Sequence, residues 1–244
     1  MCLFWSGPSK TGLIAYFTFE SDRSRLSDTA YFLGDLQASG DPSYVSDCVS
    51  PTVHEIWPGS SCAALTSYVD SSGGGQYFRL NTIELGAMSA STGFSICTWF
   101  VYDATTTWAR IFDFSTPSNH LTLHRYEYSN QLRFSGYLNY QFSSPIVNGQ
   151  WRHVCVVNQG SSWGVYDDGS SVGSVFGANL DSSPFTSNFI GRSRYPQDPL
   201  LVGRVDEFRI YQKSLFPSDV ASIYRGFSGT ERCVPARRGK YFLS

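Results

Sequence analysis

Charge is scarce in this chain. Only 16% of its 244 residues are charged, against about 25% in an average soluble domain. Lys and Arg number 18 and Asp and Glu 20, for a formal net charge of −2. That near-neutral balance argues against a nucleic-acid binder, which would show a basic stripe, and against an acidic disordered tail. No run approaches the roughly 20 apolar residues that span a bilayer. The opening stretch Met1 to Pro8 has no basic n-region and is too short for a signal peptide. Two settings fit it: a cytosolic chain, or a secreted one whose targeting segment lies outside this sequence. No C-x-x-C pair occurs, which disfavours zinc, and no N-x-S/T sequon occurs. There is no phosphate loop.

What is present is aromatic and small. Phe, Tyr and Trp make up 16% of the chain, and Gly contributes 22 residues. Rings at that density must be packed or used. The six cysteines (Cys2, Cys48, Cys62, Cys97, Cys155 and Cys233) form an even, widely spaced set. Such a set fits three disulfides and an oxidising compartment, so a secreted or extracellular setting is expected. Cys2 and the Arg-rich end (Arg232, Arg237, Arg238) suggest a chain cut from something longer.

The polypeptide reads as short strands separated by turns. Strands are predicted over residues 13–19, 76–80, 94–101, 109–114, 120–128, 131–134, 151–157 and 203–211, where β-branched and aromatic residues run between turn clusters. Residues 164–169 end a strand in the Asp168-Gly169 turn. Residues 39–61, with Pro42, Pro51 and Pro58, read as a long loop. One helix is expected, Pro217 to Tyr224, with Pro217 in its first turn and Asp219 favoured by the N-terminal dipole. Strands every 8–15 residues and a single short helix mean an all-β, two-sheet antiparallel sandwich or jelly roll. The expected organisation is an extension over 1–10, one sandwich over 11–226 and an extension over 227–244 tied by Cys233.

Four segments in order resemble the laminin-G-like and pentraxin-like branch of the concanavalin A-like lectin/glucanase superfamily. They are residues 12–20 with Leu26-Ser27-Asp28, residues 94–100, residues 149–157 with 163–169, and residues 203–211 with the closing helix. The resemblance implies a Cys97–Cys155 bridge, and with it Cys48–Cys62 and Cys2–Cys233. It implies a structural Ca²⁺ held by Asp28 and Asp206, with Asp22 a weaker third ligand, since hard cations take carboxylate and carbonyl oxygens. The alternative for these acids is local: Asp28 capping a turn, and Asp206 accepting bonds from Arg204 or backbone. The pentraxin double-calcium site needs an acidic cluster where this chain has the basic run Gly191 to Asp198, so calcium-dependent headgroup binding of that type is not expected.

The superfamily's enzymes carry closely spaced carboxylates on one strand, about 5–5.5 Å apart in retaining chemistry. Here Glu20-Ser21-Asp22 is the only Glu-x-Asp, and Ser24 and Arg25 follow it. Glycoside hydrolysis is therefore not expected, and the chain reads as no enzyme. His54-Glu55 opens like a zincin motif but Pro58 follows. His120 and His124 share a strand face roughly 13 Å apart, too far for one metal. His153 reads as a packed, hydrogen-bonded residue. Lectin sites stack sugars on rings, and Trp108, Tyr126, Tyr128, Tyr137 and Tyr140 lie in the middle strands and their loops. The expected function is a non-catalytic extracellular module that binds a glycan or glycoprotein. The alternative is an assembly subunit that packs against its own copies or an extracellular partner.

Overall fold

A computed structural model describes residues 12–17, 37–39, 42–45, 62–65, 75–126 and 129–225. The strands in chain order are β1 (Leu13–Phe17), β2 (Gln37–Ser39), β3 (Ser43–Val45), β4 (Cys62–Leu65) and β5 (Tyr77–Leu80). After helix α1 (Leu85–Ser91) come β6 (Phe94–Tyr102), β7 (Arg110–Ser115), β8 (His120–Arg125), β9 (Gln131–Gly136) and β10 (Tyr140–Pro145). The chain continues through β11 (Arg152–Gln159), β12 (Ser162–Asp167), β13 (Ser170–Phe176), β14 (Ser187–Ile190) and β15 (Gly203–Tyr211) to helix α2 (Pro217–Tyr224). All described pairings are antiparallel and build two sheets. An eight-stranded sheet runs β13-β12-β11-β6-β15-β4-β3, with β1 also on β15, and a seven-stranded sheet runs β10-β9-β8-β7-β14-β5-β2.

The core lies between the sheets, and alternation along each strand fills it. Phe94, Ile96, Phe100 and Tyr102 of β6 meet Phe112, Phe114, Leu121, Leu123, Leu132 and Phe134 of the other sheet. Phe208 of β15 stands edge-on to Phe112, 5.8 Å between centroids. At roughly 25 cal/mol per Å² of buried apolar surface, these rings supply the main folding force. The aromatic excess in the composition is largely this core.

β6, β11 and β15 form the centre of the larger sheet. Cys97 and Cys155 stand directly opposite one another on β6 and β11 and are joined as a disulfide. Strand β15 pairs with β6 along one edge, and on its other edge with β4 through Val205 and then with β1 from Phe208. Where the partner changes, the register slips and Glu207 takes the left-handed φ of 53°. The bulge lets one strand serve two short neighbours.

Strand β15 and helix α2 span the residues expected from sequence, and the Asp168-Gly169 hairpin is a turn with both φ values positive. Helix α1 was not expected. Its sequence, LGAMSAS, has no apolar stripe, and it is held by position: a Cβ on Gly86 would fall 1.9 Å from the Asp181 carbonyl oxygen. Strands β10, β13 and β14 also escaped the sequence reading, since Ser-rich or very short strands lack its β-branched signal. The expected loop at 39–61 contains β3. Cys62, buried on β4, is disulfide-bonded, and its partner lies outside the described residues, as do Cys2, Cys48 and Cys233.

Candidate functional site

The centre of the eight-stranded sheet has no open face. On its outer side Cys97, Cys155, Val157, Tyr166 and Tyr211 pack with Leu215 and with Val220 and Ile223 of α2. Pro217 opens that helix and Asp219 Oδ2 accepts the Phe216 N–H at 3.2 Å, which caps its first turn. Tyr224 stacks on Trp99 at 5.3 Å, and His153 lies 5.1 Å from Trp99. His153 is fully buried, and burial, helped by nearby Arg209, pushes its imidazole down to about 3. It is a packed histidine, as expected. Its Nε2 lies 3.8 Å from Cys155 Sγ, and its Nδ1 has no hydrogen-bond partner among the described residues.

The seven-stranded sheet differs. Leu121 and Leu123 of β8 and Leu132 and Phe134 of β9 point into the core, so His120, Thr122, His124, Arg133 and Ser135 point outward. Cross-strand register arranges the outward residues in rows. Arg110, His124, Arg133 and Gln141 form one, and Phe189, Asp113, Thr122 and Ser135 form the next. Gly136 permits the close approach of β9 to β8, because a Cβ there would fall 1.7 Å from the His120 carbonyl oxygen.

Trp108 is the most distinctive member. Its φ is 66°, a left-handed value that a bulky residue rarely adopts, and its N–H donates to the Arg125 carbonyl at 3.1 Å. The turn lays the indole parallel to His124, 5.1 Å between centroids and 18° between planes. Tyr126 meets the same indole edge-on at 6.3 Å, and the Arg110 guanidinium lies 5.4 Å from its centre. His124 Nδ1 donates to the Arg125 carbonyl at 3.0 Å, and its Nε2 accepts from Ser135 Oγ at 2.8 Å. Burial and the Arg110 charge push its imidazole down to about 3, so it is neutral at pH 7.

Loop 191–198, the basic run noted in the sequence, folds over the far side of this face. Its anchor is Asp113, fully buried, which accepts from Ser115 Oγ at 2.6 Å, Ser193 Oγ at 3.4 Å and Arg194 N at 3.2 Å. Asp198 accepts from Ser193 Oγ at 2.7 Å and Arg110 Nη2 at 3.1 Å. Arg194 Nη1 donates to the Thr116 and Asn119 carbonyls, and its Nη2 to Tyr195 Oη.

Of the rings expected to bind ligand, Trp108 and Tyr126 belong to this half-exposed face, and Tyr128 lies outside the described residues. Tyr137 and Tyr140 do not join it. Tyr137 is 3% exposed within the core. Tyr140 pairs with core-facing Phe134, packs inward, and donates its hydroxyl to the Val172 carbonyl at 2.9 Å. A one-residue change of parity decides which side a strand residue takes. Arg110, Asp113, Arg133, Arg192 and Arg194 were missed. Alternation of polar residues with Leu and Phe along β9 marks Arg133, while no local signal marks Arg192 and Arg194 in their loop. A second depression, about 150 Å³ and lined by Trp151, Arg152, Asp167 and Asp168, is small for an organic ligand, which typically needs about 300–1,000 Å³.

The calcium expectation falls partly outside the described residues, where Asp22 and Asp28 lie. Asp206 is buried, and its Oδ1 accepts the Glu207 N–H at 2.8 Å. The neighbouring Glu207 carboxylate accepts from Tyr16 Oη at 2.6 Å and pairs with Arg209. The cluster of ligand-type groups found among the described residues, Cys97, His153 and Cys155, has both sulfurs committed to the disulfide.

No curated protein shows significant sequence similarity to the chain. Among solved structures, domain 4 of AbnA, an extracellular GH43 arabinanase from Geobacillus stearothermophilus seen with arabinotriose, superposes with a TM-score of 0.64 at 21% identity, covering 87% of this chain and 98% of that domain. The binding domain of botulinum neurotoxin DC, in complex with rat synaptotagmin II, gives 0.66 at 15% identity and covers 90% of this chain and 52% of that one. A structure on botulinum neurotoxin type C, whose cell entry depends on two ganglioside molecules, gives 0.64 at 15%, covering 88% and 51%. The chain thus spans about half the length of the toxin chains, and at these identities the likeness is one of fold. Residues 72–221 match the laminin-G-type family, and the chain belongs to the concanavalin A-like lectin/glucanases superfamily.

Proposed function

We propose that the chain is a non-catalytic, extracellular recognition module that binds carbohydrate, free or on a glycoprotein, across the outer face of the seven-stranded sheet. The observation that carries this reading is the Trp108 indole. The chain accepts a left-handed backbone there, at a cost of order 1–3 kcal/mol, and the indole stays half-buried beside Tyr126, covering His124 on the sheet's outer face. Rings presented that way suit the apolar faces of sugars. The AbnA domain seen with arabinotriose and the toxin tied to gangliosides share the fold, which makes saccharide binding a reasonable use of it.

Two further features support the reading. Asp113 is spent on Ser115, Ser193 and Arg194, and Asp198 on Ser193 and Arg110, so both carboxylates of the face brace its loop rather than stand as acid and nucleophile. The disulfide Cys97–Cys155 and the bonded Cys62 suit an oxidising compartment. Among the described residues no helix is long and apolar enough to cross a membrane.

A glycan array run in Ca²⁺ and in chelator tests the proposal. Binding of a defined glycan set that W108A abolishes is expected in both conditions, because the described face offers no uncommitted carboxylate. Silence in both would sink it. A melting temperature that drops in chelator would place the calcium expected from Asp28 and Asp206 in the fold rather than at the glycan.

One observation favours the assembly reading instead. On edge strand β13, Phe176 is 89% exposed and Val172 42% exposed, an arrangement that invites another strand. Light scattering decides it: a concentration-dependent oligomer that F176S dissolves supports assembly, and a strict monomer removes it.

A further inference from the structure

Arginines are concentrated on the proposed glycan face of a chain that is otherwise slightly acidic. Arg79, Arg110, Arg133, Arg192 and Arg194 belong to it, against Asp113 and Asp198 among the described residues, while the whole chain carries −2. Four of the five lie on rings. Arg110 is over Trp108 at 5.4 Å, Arg133 over Tyr126 at 4.6 Å, and Arg194 over Tyr195 at 4.6 Å. Arg192 lies between Tyr77 and Phe189, at 4.7 and 5.0 Å. A guanidinium resting on a ring is restrained by that contact, so less freedom remains to be lost on binding.

Their partners are incomplete. The side chains of Arg133 and Arg192 make no hydrogen bond or ion pair with any described residue. Arg110 and Arg194, by contrast, are engaged within the face: Arg110, 5% exposed, pairs with Asp198 and Asp113, and Arg194 donates to the Thr116 and Asn119 carbonyls and to Tyr195 Oη. The stations are also spread. Arg194 sits by the turn before β8, and Trp108 and Arg133 by its far end, roughly 17 Å along a strand of this length. That span suits an extended chain rather than a single small ion.

We infer that the saccharide bound on this face is anionic, its carboxylate or sulfate groups held by the guanidinium groups of Arg133 and Arg192 while the neighbouring rings carry its sugar faces. The inference rests on the glycan reading above and names the ligand class for it. Guanidinium forks match carboxylate and sulfate oxygens in paired hydrogen bonds, and charge assistance makes such bonds about twice as strong as neutral ones.

The test compares the full chain by calorimetry against hyaluronan oligosaccharides (carboxylate only), dextran sulfate (sulfate only), neutral dextran and a single-stranded oligonucleotide. One anionic polysaccharide binds, its affinity falls as salt rises, and neutral dextran is silent. R133Q/R192Q lowers that affinity about tenfold or more at unchanged melting temperature, and R133K/R192K loses part of it because charge remains without the fork. If the glutamine variant fails to fold, the lysine variant carries the test, and undiminished affinity there overturns the inference. Neutral glycans that bind equally well to R133Q/R192Q overturn it while leaving the glycan reading intact. Silence towards every saccharide overturns both, as does an oligonucleotide that binds more tightly than either polyanion.

Discussion

The indole of Trp108 and the imidazole of His124 lie face to face, 5.1 Å apart and 18° from parallel, on the outer side of the seven-stranded sheet. His124 is wholly buried beneath that indole and is held neutral by burial and by Arg110. A strained turn, a neutral histidine and a half-exposed ring therefore form one unit.

Replacing the ring separates its two roles. W108A and W108G both lose glycan affinity, by about tenfold or more, since tenfold corresponds to about 1.4 kcal/mol. W108G melts higher than W108A because glycine accepts the 66° φ without cost, a difference of about 1 kcal/mol. Equal melting temperatures would show that the turn stores no strain.

Acid sensitivity follows from the buried histidines. His124 and His153 titrate near 3 in the fold and near 6.5 in an unfolded chain. The unfolded chain therefore gains protons first as pH falls. Stability is full above about pH 6.5 and is lost progressively towards pH 3. Melting temperatures at several pH values check this, and H153F, which keeps a ring between Trp99 and Tyr224, should flatten the slope. A wild-type curve level down to pH 4.5 would refute it.

Removing the central bridge should be costly but not fatal. Cys97 and Cys155 are 58 residues apart in sequence, so C97A/C155A should lose about 4 kcal/mol in chemical denaturation. Both cysteines are fully buried, so reductant alone should leave the bridge intact, read by alkylation and mass spectrometry. Ready alkylation without denaturant would contradict the packing under α2.

The bulge on β15 holds a buried ion pair, Glu207 with Arg209, joined by the Tyr16 hydroxyl. R209M strands a buried carboxylate and should cost about 3–5 kcal/mol. The double variant R209M/E207Q should recover much of that, and strictly additive losses in a double-mutant cycle would show that the pair is not coupled.

Legibility in the sequence tracked locality. β15 and α2 read correctly because alternation, flanking turns and a proline at the first helical position are short-range signals. The Cys97–Cys155 bridge was implied by family resemblance carried on contiguous motifs. Helix α1 and strands β10 and β13 were missed because small and serine-rich segments take their conformation from neighbours. Among the site residues, Trp108 and Tyr126 were found as rings in middle strands, while Tyr137 and Tyr140, equally aromatic, turned inward because parity and loop path decide a side chain's face.

The short strands, their turn spacing and the near absence of helical periodicity determined a two-sheet β sandwich from the sequence alone, and the abundant rings are what fills its core. Where its few charges go was decided only in three dimensions. Arg110, Arg133, Arg192 and Arg194 come from three separate stretches of chain, and no local signal joins them. Cross-strand register, one left-handed turn at Trp108 and the anchoring of a loop on Asp113 place them together on a single outer face. Such pairings depend on contacts between residues distant in sequence, and those exist only once the sheets have formed.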